Sequence, residues 1–316
     1  MNTWLTLLRR EWWEHKAGFG WTPLAIGTLF VLFTLYALGL ATAGDVDFAI
    51  TTITESGNDT LERTFAWNDA LIGLLDFSRW SPAELDHYLG YLLHLIAQPF
   101  VYAHFAVALF ALAGALNDDR RDRSVLFWKS LPVSDLATIA SKLVLVVWVA
   151  PLIVVVAVVA TWIAVLGIVS AFAASAGSSG FGALWTHAGI PSAALSFVSG
   201  YLLQGLWCLP IYAWVLTVSA AVPRAPLVWA GLLPLAPVVL ERMFLRSDHL
   251  WTWITRHLDF VALPRPGSLD HGHEVPGVDF ADQFALLLTV ELWSGVATGL
   301  LFLAAARWFR MRSNDL

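Results

Sequence analysis

Polar side chains inside apolar stretches are the first candidates for chemistry in this sequence. His87, Tyr91, His94 and Gln98 follow one another at helical spacing and share one face of a predicted helix. Glu291 lies about two turns inside the last apolar stretch. In hydrocarbon such groups must be neutral, paired or hydrated, and they line substrate paths or bond to neighbouring helices. The sequence leaves both roles open for His94, Gln98 and Glu291.

Residues of metal-ligand type occur together in Asp270–Glu274, where His271 and His273 stand between two carboxylates. A structural zinc site holds four fixed ligands. No matching distant set accompanies this run, and prolines surround it. We therefore expect an outer loop without a metal, although the sequence does not settle whether the two histidines bind one.

Motifs for nucleotide and hydrolase chemistry are absent from the sequence. It has no G-x-x-x-x-G-K-[ST] phosphate loop, so any ATP must be bound by another chain. It has no G-x-S-x-G or H-E-x-x-H run either, which removes common hydrolase mechanisms. We expect this chain not to be an enzyme and to hold no cofactor of its own.

Composition indicates that the solvent of this protein is lipid. Of the 316 residues, 58% are hydrophobic and only 13% are charged, whereas soluble domains carry about a quarter charged residues. So little polar surface cannot cover an aqueous fold of this length. The 17 tryptophans favour the membrane–water interface. A net charge of -6 without a long basic run argues against nucleic-acid binding, and the single cysteine, Cys208, excludes an internal disulfide.

Six stretches have the roughly 20 mostly apolar residues that a membrane-spanning helix needs, so we predict an all-α polytopic membrane protein with six spans. In chain order they are 19–43, 88–116, 139–169, 191–222, 227–244 and 282–309. The fourth is longer than one crossing requires and must be tilted, broken or extended into water. The fifth is short and contains Pro234 and Pro237. Ala41-Thr42-Ala43 is typical of a signal-peptide cleavage site, but the length of the apolar run and the preceding acidic residues favour a retained span.

The segments between the spans have distinct characters. Residues 1–18 predict an amphipathic interfacial helix, with Trp4, Leu5, Leu8 and Trp12 at helical spacing. We expect helical outer loops in 44–87 and 245–281, the second with an interfacial or re-entrant helix over 250–258. The remaining connections are the outer loop 170–190, the cytoplasmic segment 117–138, the turn 223–226 and the tail 310–316.

Lysine and arginine in short loops predict the orientation, because they remain in the cytoplasm. With six spans all four basic groups fall on one side, so both termini are predicted to be cytoplasmic. The groups are Arg9, Arg10 and Lys16; Arg120, Arg121, Arg123 and Lys129; Arg224; and Arg307, Arg310 and Arg312.

The most informative segment, 117–141, joins the second and third spans. Its alternating acidic and arginine residues precede an apolar group, Val125–Trp128, and Pro132 then breaks the chain. A charged rim around aromatic anchors is typical of a docking surface. Basic residues at a cytoplasmic loop and a tryptophan at the headgroups would produce the same pattern, so residue types alone leave these two interpretations about even.

From Asp118 to Asp135 the sequence reads DDRRDRSVLFWKSLPVSD, and Ser141-Lys142-Leu143 follows. This run is similar to the ABC-2 type permeases of bacterial exporters. In one branch of that family an ERRDRSILFWKSLPVSD-like sequence lies between the second and third spans. The rest of the chain resembles the family in layout only, and its first outer loop is longer than in many members.

The resemblance implies that Arg120–Pro132 includes a coupling helix that docks on a separate ATP-binding subunit. Two permease copies, as a homodimer or related heterodimer, and two ATPases that bind ATP and Mg would form the transporter in the bacterial inner membrane. The arginines would make charge contacts, and Phe127, Trp128 and Leu131 would be buried anchors. The implied coupling residues are Arg120, Arg121, Asp122, Arg123, Phe127, Trp128, Lys129, Leu131, Pro132 and Asp135.

Other classes of function remain open at this stage. A proton-coupled secondary transporter would use His94 and Glu291 as a relay, but the sequence lacks a detectable inverted repeat. A membrane enzyme near His271 and His273 would need a fuller set of catalytic groups. A membrane sensor or immunity protein would share a partner ATPase with the permease. The substrate and the direction of transport are not encoded in any residue type.

Overall fold

The computed structural model describes residues 3–43, 49–56, 59–66, 80–121, 133–175, 181–260 and 280–312. Within these residues, three π-helical turns, at Ala17–Trp21, Leu145–Val149 and Glu241–Leu245, continue or follow α-helices. The α-helices are α1 (Thr3–Lys16), α2 (Thr22–Ala43), α3 (Pro82–Ala115), α4 (Asn117–Arg121), α5 (Asp135–Val144), α6 (Ala150–Ser175), α7 (Phe181–His187), α8 (Ile190–Trp207), α9 (Leu209–Ala221), α10 (Pro226–Leu232), α11 (Leu235–Leu240), α12 (His249–Leu258), α13 (Phe280–Leu287) and α14 (Val290–Arg312).

Several of the described helices have the length and apolar composition of membrane spans. Five helical segments are long and apolar enough to cross a bilayer, and the bent pair Gly182–Trp207 and Leu209–Ala221 makes six if it counts as one broken span. This confirms the prediction of a helical protein with several segments long and apolar enough to cross a membrane. The five segments are Trp4–Leu40, Pro82–Arg121, Asp135–Ser175, Pro226–Leu245 and Val290–Arg312.

The fourth predicted span is broken rather than simply tilted. Its two helices, α8 and α9, meet at Cys208 with a bend of 47°. Pro210 lies in the first turn of α9, where its missing N–H costs no helical hydrogen bond. The predicted sixth span is also divided, because α13 ends at Leu287 and α14 begins at Val290.

The N-terminal helix is continuous with the first membrane helix. Lys16 and Thr22, on either side of the first π-helical turn, both have helical backbone angles, so α1 runs on into α2. Trp4 and Leu5 are exposed and therefore accessible to lipid. The opposite side of α1 packs inside the protein and buries Glu11, a contact that its apolar periodicity did not predict.

Within the predicted outer segment 44–87 the structure contains a pair of strands, β1 (Ala49–Ser56) and β2 (Asp59–Ala66), where we expected short helices. They pair antiparallel, with Ala49 opposite Ala66 and Ser56 opposite Asp59. Five consecutive β-branched residues, 50–54, explain this correction, because branching at Cβ restricts the side chain in a helix and suits a pleated strand.

Among the described residues, two apolar cores hold the long helices together. One lies around the first half of α3 and α6, where Leu89, Phe100 and Trp162 are buried. The other joins the second half of α3 to α5, the second π-helical turn and α9, and it buries Leu112, Ile139 and Leu216. The second core lies directly beside the two ends of the predicted coupling segment, and it therefore positions the candidate site.

Candidate functional site

Two short helices, α4 and α5, lie at the two ends of the predicted coupling segment. Its central part, 122–132, lies outside the described residues, and with it Asp122, Arg123, Phe127, Trp128, Lys129, Leu131 and Pro132. Of the predicted coupling residues, Arg120 and Arg121 end α4, and Asp135 begins α5 after the N-cap Ser134. The Ser134 hydroxyl accepts a hydrogen bond from the Ala137 amide at 3.1 Å, which starts α5 immediately after the segment.

A buried charge cluster lies between these two helices, and Asp119 of α4 is at its centre. One Asp119 oxygen contacts Arg10 of α1 at 3.3 Å. The other lies 3.7 Å from the Lys142 ammonium of α5 and 3.5 Å from the Arg310 guanidinium of α14. Asp119, Lys142 and Arg310 are all buried, so these are ion pairs removed from solvent.

The same cluster extends to α1 and to the start of α5. Lys142 also pairs with the fully buried Glu11 carboxylate at 3.2 Å. Arg310 donates a hydrogen bond from Nε to Asp135 at 2.9 Å. Both ends of the segment 122–132 are thus tied through ion pairs to the N-terminal helix and to the last membrane helix. Because buried charges are stable only when paired, these contacts fix the relative positions of α1, α4, α5 and α14.

Arg120 makes contacts inside the protein. Its Nη2 donates hydrogen bonds to the backbone carbonyls of Ser219, at 2.6 Å, and Val222, at 2.9 Å, at the end of α9. The Ser219 hydroxyl accepts from the amides of Leu116 and Asn117, both at 3.1 Å. Arg120 therefore satisfies carbonyls that the end of a helix leaves open, and it fixes α4 to α9.

We expect Arg120→Gln to lower the free energy of unfolding by about 1–3 kcal/mol, because two partly buried carbonyls lose their charged donor. Arg121 is the matched control, since its side chain is 73% exposed beside Asp118. Arg121→Gln is expected to change stability by less than about 0.5 kcal/mol. Thermal unfolding in detergent, followed by tryptophan fluorescence, measures both changes. Equal destabilisation by the two variants would contradict a structural role specific to Arg120.

The intramembrane polar candidates do not form one site. His94 is partly buried, and its Nε2 has no hydrogen-bond partner in the part of the chain that the structure describes. Gln98 is also partly buried. Glu291 pairs with Arg256 of α12, so its carboxylate is partnered, one of the states that the sequence allowed. No hydrogen bond or ion pair among the described residues joins His94 to Glu291.

Sequence reasoning missed a second polar contact inside the membrane domain. The Tyr201 hydroxyl of α8 lies 2.6 Å from Nδ1 of His104 on α3, and both residues are buried. The His104 ring also packs against Phe19 in the first π-helical turn, with ring centroids 5.7 Å apart. Its imidazole is a polar group in an apolar stretch, which is the signal that could have identified it.

The break between α8 and α9 is held by α12. The Trp207 indole donates to the Arg256 carbonyl at 2.7 Å, and the Gln204 amide donates to the Asp259 carbonyl at 3.1 Å. The Cys208 thiol donates to the His257 carbonyl at 3.2 Å. The carbonyls at the end of α12 are thus satisfied by side chains of the broken span, which meets the requirement for a helix ending inside a membrane protein.

The predicted metal-ligand types His271 and His273 lie outside the described residues. In the described part of the chain, Glu11, Glu14 and His15 bring potential ligand atoms within 4.8 Å of one another. Glu11 is already paired with Lys142, and Arg10 contacts both Glu11 and Glu14. A cation would have to compete with two resident positive charges, so this group is better described as part of the charge cluster.

Comparisons of the chain with protein-family models, with curated proteins and with solved structures found no match. The fold defines the class only as a helical protein with several helices long and apolar enough to cross a membrane. The function must be argued from the sites.

Proposed function

We propose that this chain is the permease subunit of an ABC-2 type transporter that works as an exporter. It forms the path through the membrane, and a separate ATPase subunit supplies the energy. The observation that carries the proposal is the buried charge cluster at the segment similar to these permeases. Asp119 and Asp135 lie on either side of 122–132, and both pair with Arg310 of the last membrane helix.

This arrangement suits a mechanical role for the segment. A push on 122–132 would displace α4 and α5, since each adjoins one end of it. Ion pairs of Asp119 with Arg10 and of Lys142 with Glu11 would pass the displacement to α1, which continues into α2. The contacts with Arg310 would pass it to α14. Coupled movement of packed helices as rigid bodies is a common basis of such conformational switches.

The proposal assigns the cluster to the cytoplasmic side of the bacterial inner membrane. With six spans and both termini in the cytoplasm, α1, α4, α5 and the end of α14 all lie on that side, as the distribution of lysine and arginine predicts. The transporter would contain two permease copies and two ATPases, and ATP and Mg would be bound by the ATPases. Phe127, Trp128 and Leu131 would be the apolar anchors of the docking contact.

The test is co-purification in mild detergent with any ABC-type ATPase encoded beside this chain. We expect wild type to capture the ATPase and Phe127→Ala/Trp128→Ala to lose at least about tenfold in capture, because aromatic anchors dominate interface energies. The matched control is Trp4→Ala/Trp308→Ala, which removes two exposed aromatic side chains from the same predicted side. Failure of folded wild type to capture an ATPase, or equal losses in both double variants, would refute the proposal.

A further inference from the structure

Two opposite charges pair on the exposed surface of the membrane helices. Arg256, near the end of α12, pairs with Glu291 in the first turn of α14, and their side chains are 55% and 44% exposed. Surrounding surface residues are large and apolar, among them Trp293 and Val290. An exposed ion pair is ordinary in water, but its position along the helices makes this one unusual.

Under the proposed topology, the pair lies near the outer end of the membrane-spanning helix α14, because Glu291 is in its first turn. On α14, Glu291 precedes Arg307 by 16 residues, a rise of about 24 Å, and Arg307 lies one turn before Arg310 of the charge cluster. The end of α12 bonds to Cys208, which precedes the end of α9 by 13 residues, or about 20 Å. A hydrocarbon core is about 30 Å thick, so under the proposed topology both measures place the pair in the outer part of the membrane, towards the outer headgroups.

Lipid chains alone are an unfavourable environment for these exposed charges. Ionised side chains at this depth face protein or a water-filled cavity, because the cost of burial in hydrocarbon is high. An aromatic cluster follows α12 in the chain: Phe260, two residues after its end, packs on Tyr102 and Phe105 of α3, with ring centroids 4.8 Å and 5.3 Å away. Tyr102 is itself 49% exposed. The surface of α12 and α14 therefore carries one cation and one anion near the exposed ring of Trp293.

We propose that the Arg256–Glu291 pair binds the headgroup of a zwitterionic amphiphile within a hydrated export path. This inference rests on the proposed function and names the class of its cargo. The anionic group of the headgroup would bind the Arg256 guanidinium, and its cationic group would bind the Glu291 carboxylate. The apolar chain would lie along Tyr102, Phe260 and the neighbouring apolar surface.

Charge balance selects a zwitterion over a simple ion. An anion that drew Arg256 away would leave the Glu291 carboxylate without a partner, and a cation would do the same to Arg256. An unpaired charge in a poorly hydrated site is costly, so each of those exchanges is opposed. A zwitterion replaces both partners at once and leaves no charge unpaired. The site therefore discriminates through the penalty on the wrong ligand as well as through contacts with the right one.

The test measures equilibrium binding of labelled single-chain phospholipids to the purified full-length protein in non-ionic detergent. The zwitterionic probe is lysophosphatidylcholine, and the anionic comparison is lysophosphatidylglycerol. We expect wild type to prefer the zwitterionic probe, and Arg256→Gln and Glu291→Gln each to weaken its binding by about tenfold or more, as expected for the loss of a charge-assisted contact. The matched control is Arg242→Gln, which breaks the exposed pair Arg242–Asp248 just before α12 and is expected to leave binding unchanged.

Two further measurements keep the inference falsifiable. The exchange Arg256→Glu/Glu291→Arg restores an ion pair, so it preserves folding while reversing the charges that the headgroup meets, and we expect it to bind the zwitterion more weakly than wild type. Equal binding by wild type, both single variants and the exchange would overturn the inference. A change of oligomeric state with unchanged lipid binding would also overturn it, by assigning the pair to a contact between two copies. ATPase capture in the same preparations separates the outcomes, because unchanged capture would leave the permease proposal intact.

Discussion

Replacing Asp119 with asparagine is expected to lower the free energy of unfolding by about 3–5 kcal/mol, because the change removes one charge from a buried ion-pair cluster. Lys142 and Arg310 are 3% and 5% exposed, so water cannot replace the lost carboxylate. The two cations would then repel each other without their common partner. A loss of this size would lower the midpoint of thermal unfolding by several degrees or abolish folding.

Asp118→Asn is the matched control for this prediction. The Asp118 side chain is 55% exposed and pairs only loosely with Arg121, at 3.8 Å. Asp118→Asn makes the same chemical change one residue away. We expect it to change the free energy of unfolding by less than about 0.5 kcal/mol, as at other surface positions. Tryptophan fluorescence during heating in detergent reports both transitions. Similar shifts for the two variants would show that the cluster does not carry the stability assigned to it.

The Gly295→Ala variant is expected to lose about 1–3 kcal/mol of stability through overpacking. A Cβ at this position on α14 would approach Cδ2 of His257 to 2.8 Å and would come closer still to Nε2. The imidazole cannot move aside easily. It lies between the rings of Trp207 and Trp253, with centroids 5.2 Å and 4.2 Å away, and its Nδ1 bonds to the Trp253 carbonyl at 2.8 Å.

Gly167→Ala provides the comparison for Gly295. Gly167 lies within α6, and a Cβ there would meet nothing within 4 Å. This control should be neutral or more stable by about 0.5–1 kcal/mol, because alanine loses less backbone entropy than glycine in a helix. The two variants differ only in what the added methyl group touches. If Gly295→Ala were as stable as Gly167→Ala, α12 would not be packed against α14 as tightly as the structure has it.

The positions of the membrane helices could be predicted because each depends on residues close together in sequence. Hydropathy over about 20 residues identifies a span whatever surrounds it. The length of 191–222 already required a tilt, a break or an extension, but the choice of a break at Cys208 depends on Gln204 and Trp207 reaching carbonyls of α12. The β-branched residues 50–54 are a local signal for a strand. The prediction of helices there gave more weight to the apolar content of the segment.

The candidate site could be predicted only in part, because only some of its features depend on residues close together in sequence. The segment 117–138 stood out because its charges and aromatic residues are contiguous. The charge cluster did not, because the hydrogen bonds from Lys142 to Glu11 and from Arg310 to Asp135 span 131 and 175 positions. A lysine near the start of a membrane helix can simply satisfy the positive-inside rule, or it can pair with a buried carboxylate as Lys142 does. The local sequence is the same in both cases. Arg120 illustrates the same ambiguity, since its contacts with α9 depend on tertiary packing.

The charge cluster can be completed only at the end of synthesis, because one of its cations lies in the last described helix. The members of the cluster lie between Arg10 and Arg310 in the chain. The ribosome therefore synthesises α1, which carries the Glu11 carboxylate, long before it adds Arg310, the last cation of the cluster. Until α14 inserts, Asp135 lacks the guanidinium that it bonds in the finished protein, and Asp119 lacks one of its three cations. An incomplete chain therefore carries under-compensated negative charge at the predicted cytoplasmic boundary of the membrane. Such charge would loosen the packing of α4 and α5 and would distinguish an unfinished molecule, open to proteolysis, from a completed one.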